Sequence, residues 1–384
     1  MERWLRSKPN SNSPEKENRM TEFSKLFEPT KMGDLSVPNR IFMAPLTRNR
    51  SHSDGTPKAW AETYYRQRAG AGIIFTEATQ ISAIGKGYLD TPGIYDDKHI
   101  EAWKKITDAV HAGGGRIFCQ LWHVGRISHV SLLPEGQQPV SSSAIRADAQ
   151  TFTAEGFTDV SEPVALDQAG IEQTVADYGR AATAAKQAGF DGVEVHSANG
   201  YLLDQFLQDG VNKRDDQYGG SIDNRMRLLD NVLDVVTDIW GRDRVGVRLS
   251  PLGQASDISD SDPEALFSIV YKMLSARQLA YLHVLEQFPG NETSDKDEAM
   301  MKRLRQHYDG FFISNGGYDA ESSAAALASG HAQAVTIGRP FIANPDLPER
   351  FRVGAELNQP DQDTFYGGDE TGYTDYPFLE GPAK

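Results

Sequence analysis

Eight short apolar runs, separated by longer segments of helical period, are the feature that most narrows the folds open to this sequence. The runs fall at 41–45, 72–78, 116–122, 192–196, 245–250, 281–286, 310–315 and 334–338. Between them the spacing predicts helices over about 57–69, 98–112, 167–188, 224–240, 263–276, 296–307 and 320–329. Near-continuous apolar strands, each followed by an amphipathic helix, read as parallel strands buried on both faces. Eight such pairs point to an α/β fold, a (β/α)₈ TIM barrel. The 384 residues are enough for one large barrel domain.

The breaks in this pattern divide the chain. Residues 1–22 are polar and charged without periodicity, so a disordered N-terminal extension is expected there, followed by a single barrel domain over 23–384. The stretch at about 123–165, rich in Pro, Ser and Gly, is too long for an ordinary connection. Long connections of this kind are usually lids or binding loops, so a lid excursion after the third strand is expected over the barrel mouth. The Gly-, Asp- and Tyr-rich tail after Leu357 reads as a surface wrap or mouth element.

Composition narrows the function classes. The net charge of −15 argues against nucleic acid and anionic membrane surfaces as partners and favours a small-molecule substrate. No apolar run reaches the ~18 residues of a membrane span, and the N-terminus lacks a signal-peptide core, so a cytoplasmic protein is expected. Cys119 is the only cysteine and stands in an apolar run, which fits a buried, inert thiol and leaves no disulfide or iron–sulfur cluster. His111, His123 and His129 have no metal-ligand spacing with carboxylates, so no metal site is expected.

In a barrel of this kind chemistry sits at the C-terminal strand ends. Thr47, Glu77, Gln120, Trp122, His196, Arg248, Glu286, Asn315 and Arg339 all fall at or just past such ends. After the fourth strand come His196, Asn199 and Tyr201, and each taken alone can be packing or turn chemistry. Together they offer two donors able to hold one oxygen and a phenol suited to giving up a proton, since an unperturbed tyrosine titrates near 10. The loops 314–317 and 337–340 carry glycines that admit an anion to the backbone and, in Arg339, a forked cation. They read as a phosphate cradle, with two plain glycine turns as the bland alternative. Arg248 interrupts an apolar strand and needs a partner. A mouth anion, a ring that becomes anionic on reduction, or an ion pair with Glu77 or Glu286 would each serve.

Several motifs, in order from about Lys25 to Leu379, resemble the old yellow enzymes, the FMN-dependent NAD(P)H ene-reductases. They include Met43-Ala44-Pro45-Leu46-Thr47-Arg48, Gln120-Leu121-Trp122-His123-Val124-Gly125-Arg126, His196-Ser197-Ala198-Asn199-Gly200-Tyr201, Arg248-Leu249-Ser250-Pro251 and Ile337-Gly338-Arg339-Pro340. The likeness is nearest to bacterial members acting on enones, maleimides and nitrate esters. It implies tight, non-covalent FMN, with NADPH or NADH as reductant. By the same resemblance the Ala78 backbone, Gln120 and Arg248 would bind the pyrimidine edge of the flavin and Thr47 its O4 side. Pro45 and Leu46 would support the ring, and Gly317, Gly338 and Arg339 would take the phosphate. His196 and Asn199 would hold the carbonyl or nitro oxygen of an electrophilic alkene, while Tyr201 would protonate its α-carbon after hydride transfer from flavin N5 to the β-carbon. Trp122, Tyr88 and Tyr366 would shape the pocket. Many bacterial relatives carry a second histidine where this chain has Asn199. A monomer or homodimer is expected.

Two rival readings remain open on the sequence. A flavin-free barrel could act on a phosphorylated metabolite, although no strand ends in the lysine that Schiff-base chemistry needs. A non-catalytic ligand-binding barrel would neither hold flavin nor consume NADPH.

Overall fold

The computed structural model describes residues 23–253, 255–287 and 292–379; the extension expected over 1–22 lies outside the described residues. Eight parallel strands, β1 (Ile41–Met43), β2 (Ile74–Phe75), β3 (Ile117–Trp122), β4 (Gly192–His196), β5 (Val245–Leu249), β6 (Tyr281–Leu285), β7 (Phe312–Asn315) and β8 (Ala334–Ile337), form one closed sheet. Closure runs through β8 and β1, with Val335, Thr336 and Ile337 opposite Ile41, Phe42 and Met43. All eight runs read from the sequence are strands, and each is buried along its whole length.

Size alternation packs the interior. A Cβ on Gly246 would lie 2.0 Å from the Tyr281 ring, and one on Gly192 would lie 2.2 Å from Phe118. The absent side chains make room for the aromatic rings of neighbouring strands, the large-against-small fit that a close-packed core requires. Phe42, Phe75, Phe118, Tyr281 and Ile313 form one cluster with Met32, Leu35 and Val37 from a small antiparallel hairpin, Thr30–Met32 with Leu35–Val37. The hairpin sits at the end where strands begin, since its Asp34 pairs with Arg244 just ahead of β5. It was not apparent in the sequence because two three-residue strands are too short for a period to register.

Outside the barrel lie α1 (Trp60–Gln67), α2 (Asp97–Ala112), α3 (Gln168–Gln187), α4 (Ile222–Trp240), α5 (Pro263–Arg277), α6 (Asp295–Arg305), α7 (Ala320–Ala328) and α8 (Leu347–Val353). Most begin where a short polar side chain satisfies a free backbone N–H. Asp96, Asp167, Ser221 and Asp262 accept from Lys98, Gly170, Asn224 and Ala265, and Ser294 and Asp319 form capping boxes with Asp297 and Ser322. Pro263 at the first helical position adds a preset φ.

The segment after β3 is an excursion without a long helix. It contains an antiparallel hairpin, Gln150–Thr153 with Gly156–Asp159, and Val140–Ser141 pairs in parallel with Val164–Ala165. Leu89 N donates to Phe152 O at 2.9 Å, and the buried Arg126 donates to Asp257 O at 2.5 Å, so the excursion is tied to the loops leaving β2 and β5 and lies across the mouth. The C-terminal segment packs on the loop leaving β1. Arg48 donates to Phe365 O and Gly372 O at 2.9 and 2.8 Å, Arg50 donates to Asp369 O and Thr364 O at 2.8 and 2.9 Å, and Tyr373 stacks on Tyr64 at 4.0 Å.

Candidate active site

At the mouth a cavity of about 700 Å³ opens among the ends of β1, β5, β6, β7 and β8 and the C-terminal segment. That volume is within the range of small-molecule and cofactor sites. Pro45, Leu46, Thr47, Asn199, Arg248, Gly317, Gly338, Arg339 and Tyr366 all line it. Its glycine loops stand open. Gly317 has φ +70, a conformation glycine adopts without cost, and its backbone is exposed; a Cβ on Gly338 would come 3.3 Å from Leu46 Cδ2. Arg339 is exposed beside them.

The remaining site residues from the sequence, Gln120 apart, form an adjoining aromatic wall. Ala78, Trp122, Tyr88 and Tyr201 belong to one cluster. Trp122 stacks on Tyr88 at 5.8 Å, and Tyr201 sets its ring edge-on to both Trp122 and His196, at 5.0 and 5.2 Å. The hydroxyls of Tyr88 and Tyr201 are 3.1 Å apart. Tyr366, by contrast, is 67% exposed and touches the cavity from its rim.

Three buried polar atoms on this wall have no partner among the described residues: His196 Nδ1, Asn199 Oδ1 and Trp122 Nε1. Buried polar groups are nearly always paired, and a molecule bound in the mouth can supply these partners, although unpaired buried atoms also occur away from it, as on Tyr178 and Tyr271. Burial, then Arg248 and His283, push the His196 imidazolium well below its ordinary range, so the ring is neutral and has a single N–H to give. Burial, then Tyr88, hold the Tyr201 phenol well above 10 and keep its proton in place.

Asn199 follows a turn that its neighbours clamp. It has φ +57, which asparagine tolerates better than most residues, and Gly200 follows at φ +75. Ser250 Oγ accepts from Asn199 N at 2.7 Å, Asp204 Oδ2 accepts from Gly200 N at 2.8 Å, and Gln205 Nε2 donates to Gly200 O at 2.7 Å. Asp204 and Gln205 lie on a short helix, Leu202–Leu207, that the sequence reading did not separate from the polar cluster. Its six residues are all buried, so no polar face marks the period.

Below the cavity floor lies a charged layer. Arg248 Nη2 donates to Asn315 Oδ1 at 2.8 Å, and Nη1 lies 3.0 Å from His283 Nε2. His283 in turn meets Glu194 at 2.8 Å, and Gln120 Nε2 donates to the other Glu194 oxygen at 2.8 Å. Arg248 therefore pairs with neither Glu77 nor Glu286. Glu77 accepts from the Arg48 backbone, and burial pushes it up to about 7, while Glu286 meets Ser314 and His331. Glu194 and His283 went unremarked in the sequence; the available signal was a polar residue at the centre of each apolar strand, in Gly-Val-Glu-Val-His and Tyr-Leu-His-Val-Leu. Cys119 is fully buried, and burial pushes its thiol up to about 12, which leaves it unreactive. No cluster of metal-binding side chains occurs among the described residues.

A closed parallel barrel whose mouth combines a glycine cradle, a buried guanidinium wall and unpaired hydrogen-bonding atoms fits a flat cofactor with a polar edge and an anionic tail. That is the flavin-barrel class. The sequence model of the NADH:flavin oxidoreductase / NADH oxidase family matches residues 25–358, and the chain belongs to that family, among the old yellow enzymes. It is 45% identical to 12-oxophytodienoate reductase 1 of Oryza sativa subsp. japonica over 92% of this chain and 93% of the relative. Among solved structures, morphinone reductase superposes with a TM-score of 0.89 at 50% identity, covering 92% of this chain and 96% of that one. Its complex with tetrahydroNAD superposes at 0.87 and 49% identity, covering 92% and 98%. The old yellow enzyme homologue from Zymomonas mobilis gives 0.89 at 42%, covering 92% and 100%. The protein is thus an FMN-dependent NAD(P)H oxidoreductase.

Proposed function

We propose that the mouth reduces the C=C bond of electrophilic alkenes, α,β-unsaturated carbonyl or nitro compounds, with His196 and Asn199 holding the activating oxygen and Tyr201 supplying the proton. The observation that carries this division is the placement of an unpaired buried His196 nitrogen and of the cavity-lining Asn199 side chain beside a phenol kept protonated by burial. When bound, FMN supplies hydride chemistry, accepting a hydride from NAD(P)H and delivering it to the β-carbon. Pro45, Leu46 and Thr47 line one side of the cavity, Arg248 lies in its wall, and Gly317, Gly338 and Arg339 offer the anion cradle. Gln120 and the Ala78 backbone would complete the polar edge.

His196, neutral and buried, donates one hydrogen bond to the substrate oxygen and Asn199 donates another through its amide. Donors fixed in a water-poor site stabilise the enolate charge that develops as hydride arrives. Tyr201 then delivers its proton to the α-carbon, and Tyr88, within 3.1 Å, is positioned to restore it. Trp122 and Tyr366 bound the substrate space. The excess of carboxylates supports small neutral substrates over nucleic acid, and we place the enzyme in the cytoplasm as a monomer or homodimer. Among the described residues no helix is long and apolar enough to cross a membrane.

Anaerobic titration tests this reading. The purified protein is expected to be yellow, to bleach with NADPH or NADH, and to regain colour on addition of 2-cyclohexenone. A colourless protein that FMN does not reconstitute, or a bleached protein that the enone leaves bleached, would overturn it.

A further inference from the structure

The charged layer beneath the cavity contains one carboxylate that the proposed chemistry does not use. Glu194 lies at the centre of β4, with neither it nor His283 exposed to solvent. It is paired across the strands: Glu194 stands opposite Gln120 in the β3–β4 register, and His283 stands opposite Arg248 in β5–β6. Both of its oxygens are engaged, Oε1 by Gln120 Nε2 and Oε2 by His283 Nδ1, each at 2.8 Å.

Those contacts fix proton positions. Burial works against the Glu194 carboxylate, but His283 and its hydrogen bond, with Arg248 and Gln120, hold the carboxyl below its usual range. An ionised carboxylate only accepts, so Nδ1 of His283 carries a proton. Burial and then Arg248 push the imidazolium down to about 4, so Nε2 is bare and accepts from the Thr336 hydroxyl at 2.8 Å. The ring between Glu194 and Arg248 is therefore neutral. The layer holds one full negative charge and one full positive charge, linked through an uncharged imidazole. The same contact orients Gln120: one amide N–H goes to Glu194, which leaves the second N–H and the carbonyl oxygen to present elsewhere.

We propose that Glu194 is a positioning residue that sets the reduction potential of the flavin, by holding Arg248 through His283 and by offsetting part of the positive charge Arg248 presents to the cofactor. The inference rests on the reading that Arg248 borders the flavin. Hydride transfer from NAD(P)H moves two electrons and one proton to the flavin, so the ring system gains one negative charge while the nicotinamide becomes cationic. A guanidinium beside the ring favours that added charge, and a fixed carboxylate behind the guanidinium opposes it. Glu194 thus keeps the bound flavin a stronger hydride donor than Arg248 alone would leave it.

Glu194→Gln keeps the shape and removes the charge. Its amide oxygen can still accept from Gln120 and its amide nitrogen can donate to His283 Nδ1, while His283 with its proton on Nε2 donates to Thr336; the contact of Arg248 Nη1 with Nε2 then lacks an acceptor. The midpoint potential of bound FMN, measured by dye-coupled reductive titration, is expected to rise by at least a tenfold change in the reduced-to-oxidised ratio, about 30 mV for a two-electron couple. Glu194→Asp, which draws the carboxylate back by one methylene, is expected to give a smaller rise. It carries the test if Glu194→Gln does not retain FMN. A residue that only fills space would leave the potential unmoved, and no rise, or a fall, in the variants that hold FMN would overturn the proposal. Arg248→Met separates this from the underlying reading: a lowered potential or lost FMN supports Arg248 at the flavin. An unchanged potential with unchanged FMN binding would remove Arg248 from the cofactor, whatever Glu194 does.

Discussion

Tyr201→Phe is expected to slow reoxidation of the reduced enzyme by 2-cyclohexenone by roughly 10²–10⁴-fold, the usual contribution of a positioned general acid, while leaving flavin reduction by NADPH unchanged. The change removes one oxygen and keeps the ring that packs edge-on to His196 and Trp122, so the pocket wall survives. It also leaves Tyr88 without its 3.1 Å partner. The asymmetry between the two half-reactions carries the argument: nicotinamide gives up a hydride and needs no proton from the protein, whereas the alkene takes both. Stopped-flow traces of the two halves separate them, and equal slowing would move Tyr201 from proton donor to general pocket residue.

The second large effect concerns the oxygen site. Phenols bind as enolate mimics, so their affinity reports the two donors without any chemistry. Hydrogen bonds to a charged group contribute about 1.5–3 kcal/mol each, and removing both from a buried site should weaken phenol binding roughly 10²–10⁴-fold by the tenfold-per-1.4 kcal/mol relation. His196→Ala with Asn199→Gly is the suitable pair. Glycine accepts the φ of +57 at position 199, where the Cβ of alanine would add strain unrelated to binding. Spectral titration with a para-substituted phenol measures the loss. Retained affinity in a folded, FMN-bound variant would place the oxygen elsewhere. Because His196 is held neutral and Asn199 cannot ionise, neither donor titrates near neutral pH.

The barrel was legible because its signal is repetition: eight apolar runs with helices between them survive an error in any one boundary. The chemistry-bearing ends followed from the same count, since placing His196 at the close of β4 and Arg248 at that of β5 directs both to one mouth. What was not legible depends on distance in space. The Thr30–Val37 region has no period long enough to read, yet it plugs the barrel through Met32 and Val37. Arg248 advertised a need for a partner, but candidates at strand ends, Glu77 and Glu286, looked as good as any. The actual neighbours, His283 and Asn315, come from the next strands around the barrel and are found only from the register. One clamp on the Asn199–Gly200 turn likewise joins Asn199 to Ser250, 51 positions later, a separation no local pattern records.

The central claim is a divided delivery, hydride to one carbon and proton to its neighbour, and isotopic labelling of a single turnover tests it most directly. Reduction of 2-cyclohexenone with NADPH carrying deuterium at its transferable C4 position, in ordinary water, should place deuterium on the β-carbon. Unlabelled NADPH in deuterium oxide, where the Tyr201 phenol has exchanged, should place it on the α-carbon. Solvent deuterium at the β-carbon, or nicotinamide deuterium at the α-carbon, would contradict the account.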